Sequence, residues 1–177
     1  MPRIFQFEAD KALEAILYTA VSIPEPSYHS ISKILYFADQ RHLSEVGRLL
    51  FGDSYVAMKH GPVPSGAYDM MKWAKSPDLG GHRGIPERIT GALRIANNHH
   101  VTPLRKPDLG YLSRTDREAL DWSIAKYGEK SFDELTAASH DAAWESAAEN
   151  EFVELAAIVA MQPNADELAE HLELNEA

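Results

Sequence analysis

The chain carries eight histidines and no cysteine. Without thiols, a disulfide scaffold, a zinc–thiolate centre and a cysteine nucleophile are closed to it. Imidazole and carboxylate remain. Asp39 and His42 stand three apart in a helical pattern, which sets them on one face, and His60 could come near them. Such a trio could hold a metal or serve a hydrolase. The supporting pattern is missing. There is no HExxH sequence, and His99 and His100 fall on a predicted strand, where successive side chains point to opposite faces. Asp39 orienting His42 through a hydrogen bond is the simpler reading, and no metal is expected. Ser139-His140-Asp141 has the residue types of a catalytic triad, but consecutive side chains fan apart and cannot align nucleophile, base and orienter. There is no nucleophile elbow. No obvious strand precedes Gly80-Gly81-His82-Arg83-Gly84, so it reads as a loop rather than a phosphate cradle. These residues therefore predict no catalytic set and no cofactor.

Charge says more about partners. The net charge is −10, and residues 131–177 hold twelve acids and no lysine or arginine. The preceding 130 residues are close to balanced, with seventeen bases against fifteen acids. An acidic third repels nucleic acid and attracts a basic protein, although it also serves solubility. The early order of helix, proline-rich break, helix and hairpin is compatible with a winged-helix DNA reader. Its second helix, however, sets Lys33 and Arg41 beside Asp39 and Glu45, which is thin for phosphate neutralisation. The apolar runs fall short of the roughly 20 residues of a membrane span, and the start lacks the pattern of a secretory signal. A cytoplasmic protein with no membrane contact is expected.

The elements that must position these groups follow from periodicity. A chain of 177 residues reads as one domain over 1–162 with an acidic tail over 163–177. Apolar spacing predicts helices over 7–22 and from near Ser27 or His29 to about Val46, parted by Pro24-Glu25-Pro26 and stopped at Gly47. A strand is predicted over 53–59, a helix from about Pro64 to Ala74, a loop over 76–86, and a β-hairpin on either side of Asn97-Asn98. Ser113 predicts the cap of a helix ending at Gly128, and Ser131 with Glu134 has capping-box spacing. The Ala-rich stretch Trp144–Met161 predicts one helix, and the tail predicts an acidic amphipathic helix or a frayed end. The fold class is mainly α with a small antiparallel β-sheet.

The densest segment is Gly52–Lys72. Gly61 tolerates dihedrals other residues avoid, while Pro62 and Pro64 each fix φ. His60 to Pro64 should form a rigid extended elbow that aims the next helix, with Tyr68 on its first turns. The chemistry alone favours an ordinary strand-to-helix connector.

Ser32-Lys33-Ile34-Leu35-Tyr36-Phe37-Ala38-Asp39 with His42-Leu43, then Gly52, Tyr55, Ala57-Met58, Gly61-Pro62-Val63-Pro64-Ser65 and Tyr68-Asp69, resemble the Panacea domain of SocA-like antitoxins, also found as phage-associated proteins. Leu112-Ser113, Tyr127-Gly128, and Leu135 through Ser139-His140 to Ala143-Trp144 are similar too. The resemblance covers about residues 10–160 and implies a mainly helical fold with a small sheet. It also implies an antitoxin that neutralises a cognate toxin by direct binding, with no catalytic residues. The toxins of that family include translation inhibitors and membrane-active proteins.

The expected partner is therefore a protein toxin encoded beside this chain, with a protease or a second copy as further candidates. The expected partner-binding residues are Tyr36, Asp39, His42, Tyr55, His60, Gly61, Pro62, Val63, Pro64 and Tyr68, with Glu145, Glu149 and Glu154 on the acidic helix. Asp39 and His42 are expected to fix their helix against the elbow and so to act on binding indirectly. The rival readings are an adaptor presenting a client to a protease, a DNA-binding regulator, and a hydrolase using Asp39, His42 and His60.

Overall fold

The computed structural model describes residues 5–79 and 85–174. One helix organises it. α2 (Tyr28–Val46) opens on a capping box between Ser27 and Ser30 and closes at Gly47, whose φ of 74° suits glycine. Ile31 through Asp39 are all buried, so this helix is buried on every side and lies at the centre of the domain. α1 (Ala9–Ser22) and α5 (Arg114–Tyr127) pack on it, as do a β-hairpin and α6 (Phe132–Ser139). On one side Ile31, Ile34, Leu35 and Ala38 join α1, α5, α3 (Ser65–Lys75) and α4 (Ile85–Ala92) in the larger core. On the other, Tyr36, Phe37 and Leu43 join Tyr55, Leu135, Val153, Ile158 and the C-terminal Leu168 and Leu172.

A recognition helix must offer a face to a groove. α2 does not: Lys33 is buried and Arg41 is paired with Glu45, so the winged-helix arrangement is not formed. Among the described residues no helix is long and apolar enough to cross a membrane.

The three-stranded antiparallel sheet has the order β2-β1-β5, with β1 (Tyr55–Met58), β2 (Gly61–Pro64) and β5 (Phe152–Val153). The predicted elbow is thus the edge strand β2, opposite β1 with Val63 facing Val56 and Gly61 facing Met58. Two prolines two apart suit an edge strand, because both missing N–H groups fall on the same outward side. The second hairpin, β3 (Leu93–Ile95) and β4 (Val101–Pro103), encloses Asn97-Asn98 as expected.

Two expectations need correction. Part of the loop expected over 76–86 is helical: Pro77–Leu79 form a 3-10 turn and α4 starts at Ile85, while residues 80–84 lie outside those described. The single helix expected over Trp144–Met161 does not form. The chain instead gives α7 (Ala142–Glu145), β5 and α8 (Leu155–Ala160). Asn150 takes a φ of 67°, and its N–H donates to the Ala57 carbonyl while Ala57 N–H donates to Glu151. Pairing with β1 outweighs the helical preference of the alanines, a tertiary override of propensity. Glu145, Glu149 and Glu154 therefore share no helix. Glu145 and Glu149 still line one hollow, with Trp144 and Lys59, while Glu154 precedes α8 beside Phe152. The tail forms α9 (Ala165–His171), which buries Leu168 and places the following Leu172 in the second core.

Candidate partner-binding site

The β1–β2 turn, α2 and α6 meet around a cavity of about 360 Å³. Its floor is Lys33, 1% exposed, whose Nζ donates to the Pro62 carbonyl at 2.9 Å. That carbonyl shares the outward side of β2 with the missing proline N–H groups, so the lysine caps an edge that no neighbouring strand covers. Burial pulls the Lys33 ammonium down to about 7. Gly61 makes the approach possible. Its φ is 102°, and a Cβ there would stand 2.9 Å from Lys33 Cε and 2.3 Å from Ser139 Oγ. Ser32, also buried, leaves its Oγ without a hydrogen-bond partner.

Aromatic rings form the walls. His29, one turn before Lys33, stacks on Phe132 with centroids 3.9 Å apart, and its Nε2 donates to the Phe132 carbonyl at 3.2 Å. Burial first, then the neighbouring Lys33 charge, lowers His29 to about 4. It is therefore neutral at pH 7, and folding loses that contribution as pH falls from 6.5 towards 4. His60 sets its edge against the same Phe132 ring. Tyr28 meets Tyr68 edge-on at 5.5 Å and His99 at 4.9 Å. Phe132 itself is 49% exposed at the cavity mouth.

The sequence-expected residues divide into two groups. His60, Gly61, Val63 and Tyr68 line the cavity, and Pro62 and Pro64 hold β2 in place. Tyr36, Asp39, His42 and Tyr55 have at most 1% of their surface exposed. They touch neighbouring chain, so any effect on a partner must travel through the fold. Tyr36 Oη donates to Asp141 at 2.9 Å, fixing α2 to the cap of α7. Asp39 accepts from Leu50 N–H and from Tyr55 Oη, each at 2.6 Å. Tyr55 thus ties Asp39 to β1, the strand beside the elbow, rather than to the elbow itself. His42 points elsewhere: Nδ1 donates to the Arg48 carbonyl at 2.8 Å, and Nε2 lies 3.2 Å from Asp116 on α5. His60 sits against Phe132, so the trio of Asp39, His42 and His60 is not assembled.

Burial outweighs the two hydrogen bonds and raises Asp39 to about 6, so its ionised form burdens the fold above that pH. Asp39→Asn keeps an acceptor and removes the charge, and is expected to stay within about 1 kcal/mol of wild type at pH 7.5. Asp39→Ala leaves the Leu50 N–H and Tyr55 hydroxyl without their acceptor and is expected to cost about 2–3 kcal/mol. Urea denaturation of the two variants checks the difference.

Sequence reasoning did not single out Ser32, Lys33, His29, His99 or Phe132 as site residues. The spacing of His29 and Lys33, one turn apart on α2, was the available signal. That Phe132 returns across more than one hundred residues to cover them was not.

Residues 31–145, more than half of the chain, match the family model described as antitoxin SocA-like, Panacea domain. The match takes in Ser32, Lys33, the β1–β2 hairpin and Phe132. No curated protein and no solved structure matches significantly. A match of this extent, over the elements that build the cavity, places the chain in the SocA-like antitoxin family, as a Panacea-domain protein.

Proposed function

We propose that this protein is a cytoplasmic antitoxin that neutralises a cognate protein toxin by binding it directly, without catalysis, and that the toxin is encoded beside it. Family membership carries the reading. The face around the β1–β2 turn supports it. A turn held by Gly61, two prolines and the Lys33 hydrogen bond is ordered before a partner arrives, which lowers the ordering cost of association. Phe132 and His60 are exposed on that face, with Val63 and Tyr68 half-buried beside them. The test is co-expression with the product of the adjacent gene, scored for growth rescue and co-purification. Rescue with a recovered complex is expected, whereas a toxic neighbour that is neither bound nor silenced contradicts the proposal.

The acidic surface fits the same role. A toxin that acts on RNA must be basic to approach phosphate. Glu145 and Glu149, both exposed, offer negative charge next to the turn. Their attraction should speed encounter rather than tighten the final complex. Association with the toxin is expected to slow as salt rises, and Glu145→Gln/Glu149→Gln to flatten that dependence. Stopped-flow rates at several ionic strengths measure it, and identical salt curves for the two proteins would leave the acids as solvated surface.

A further inference from the structure

We propose that the Lys33 cavity is a receptor for a carboxylate of the bound toxin, taken in with a flanking apolar or aromatic group. The proposal rests on the antitoxin reading. In a chain of net charge −10, the cavity is lined among the described residues by two lysines and three histidines and by no carboxylate. Lys33 Nζ bonds a neutral carbonyl, and among the described residues no carboxylate lines the space around it. A buried ammonium without a counter-charge gains most from an incoming anion, because desolvation has already weakened its competing hydration. Beside it, the Ser32 hydroxyl is an unused donor, buried and without a partner.

The walls define what accompanies the anion. The Phe132 and Tyr68 rings bound a space large enough for one side chain with its carboxylate. A polyanion is disfavoured, since the acidic body of the protein repels one. A single carboxylate on a basic protein is not repelled, and every chain terminus supplies one.

The first experiment uses 3-phenylpropionate as probe, its amide as the uncharged control and inorganic phosphate as the competing anion. Imidazole resonances are followed by NMR. Saturable shifts of His29 and His60 are expected, while His42, bonded away from the cavity to Arg48 and Asp116, stays still. The amide is expected to bind roughly tenfold more weakly or worse, and Lys33→Met to remove the response. Phe132→Ala, at an exposed ring, is the second variant should Lys33→Met misfold, and is expected to weaken the probe several-fold. Equal binding of acid and amide, an unchanged response in both variants, or tighter binding of phosphate overturns the proposal. In the toxin complex, Lys33→Met or Phe132→Ala is expected to speed dissociation roughly tenfold or more. Toxin peptides with free or amidated ends then separate a chain terminus from an acidic side chain. Variants that lose the probe yet hold the toxin as wild type does overturn the assignment of the cavity to the toxin while leaving the antitoxin function intact. A wild-type protein that binds the probe but not the toxin overturns that function itself.

Discussion

Asp116→Asn is expected to lower the unfolding free energy by about 3 kcal/mol and the melting temperature by roughly 6–12 °C. Asp116 is fully buried and gathers four elements of the fold. Lys11 of α1 lies 2.9 Å away, Arg48 of the α2–β1 loop 3.1 Å, and His42 of α2 3.2 Å. The Ser113 N–H donates to it at 2.8 Å, closing the capping box of α5. An amide keeps the shape but leaves Lys11, with a side chain only 11% exposed, without its counter-charge. Removing one partner of a buried pair costs far more than the pair contributes when intact. Burial alone would raise the Asp116 carboxyl, but hydrogen bonds from His42, Lys11 and Ser113 outweigh it and hold the group well below the usual carboxylate range. Because the folded value lies below the unfolded one, the stabilisation is complete above about pH 4 and is lost as pH falls towards the folded value. Denaturation curves of wild type and variant should therefore differ most near neutrality and converge in acid. A constant difference down to pH 2 would show that packing, not charge, carries the effect.

Gly61→Ala is the second large effect, expected at about 2–4 kcal/mol. A φ of 102° is strained for any L-residue, and the new methyl would meet Ser139 Oγ at 2.3 Å. Ser139 is fully buried and donates to the Thr136 carbonyl, so it has little room to yield. The β1–β2 turn must shift, and with it the Pro62 carbonyl that holds Lys33. The variant is expected to lose stability and toxin binding together. Val63→Asp, on a half-buried side chain, is expected to lose binding with little loss of stability. Thermal melts paired with calorimetric titration separate the two behaviours. A fully stable Gly61→Ala would mean that the turn relaxes without strain.

Much of this fold could be read locally. Ser27, Ser113 and Ser131 announce the starts of α2, α5 and α6, and each makes its capping bond. Gly47 ends α2 as its position predicts. What failed was non-local. Ala142–Ala160 is rich in helix-forming alanine, but the unpaired edge of β1 takes Phe152-Val153 as a strand, with Asn150 turning into it. No local propensity encodes that competition. The site followed the same division. The conformational demand on Gly61 and the prolines was visible in the residues themselves. The cavity was not, because it exists only where α6 folds back on α2 and lays Phe132 over His29. Tyr36, Asp39 and His42 were read from their spacing on one helix, and Tyr55 from the resemblance. All four are buried, and helix spacing by itself cannot tell a contact surface from a core.

The central claim is that binding alone silences the toxin. The most direct measurement titrates the purified toxin's own activity with this protein, in the absence of any protease. The account predicts inhibition that is complete at the stoichiometry of the isolated complex, with Val63→Asp shifting the curve to higher concentration. A toxin that stays fully active in the saturated complex, and is lost only when a protease is added, would contradict it and make the protein an adaptor instead.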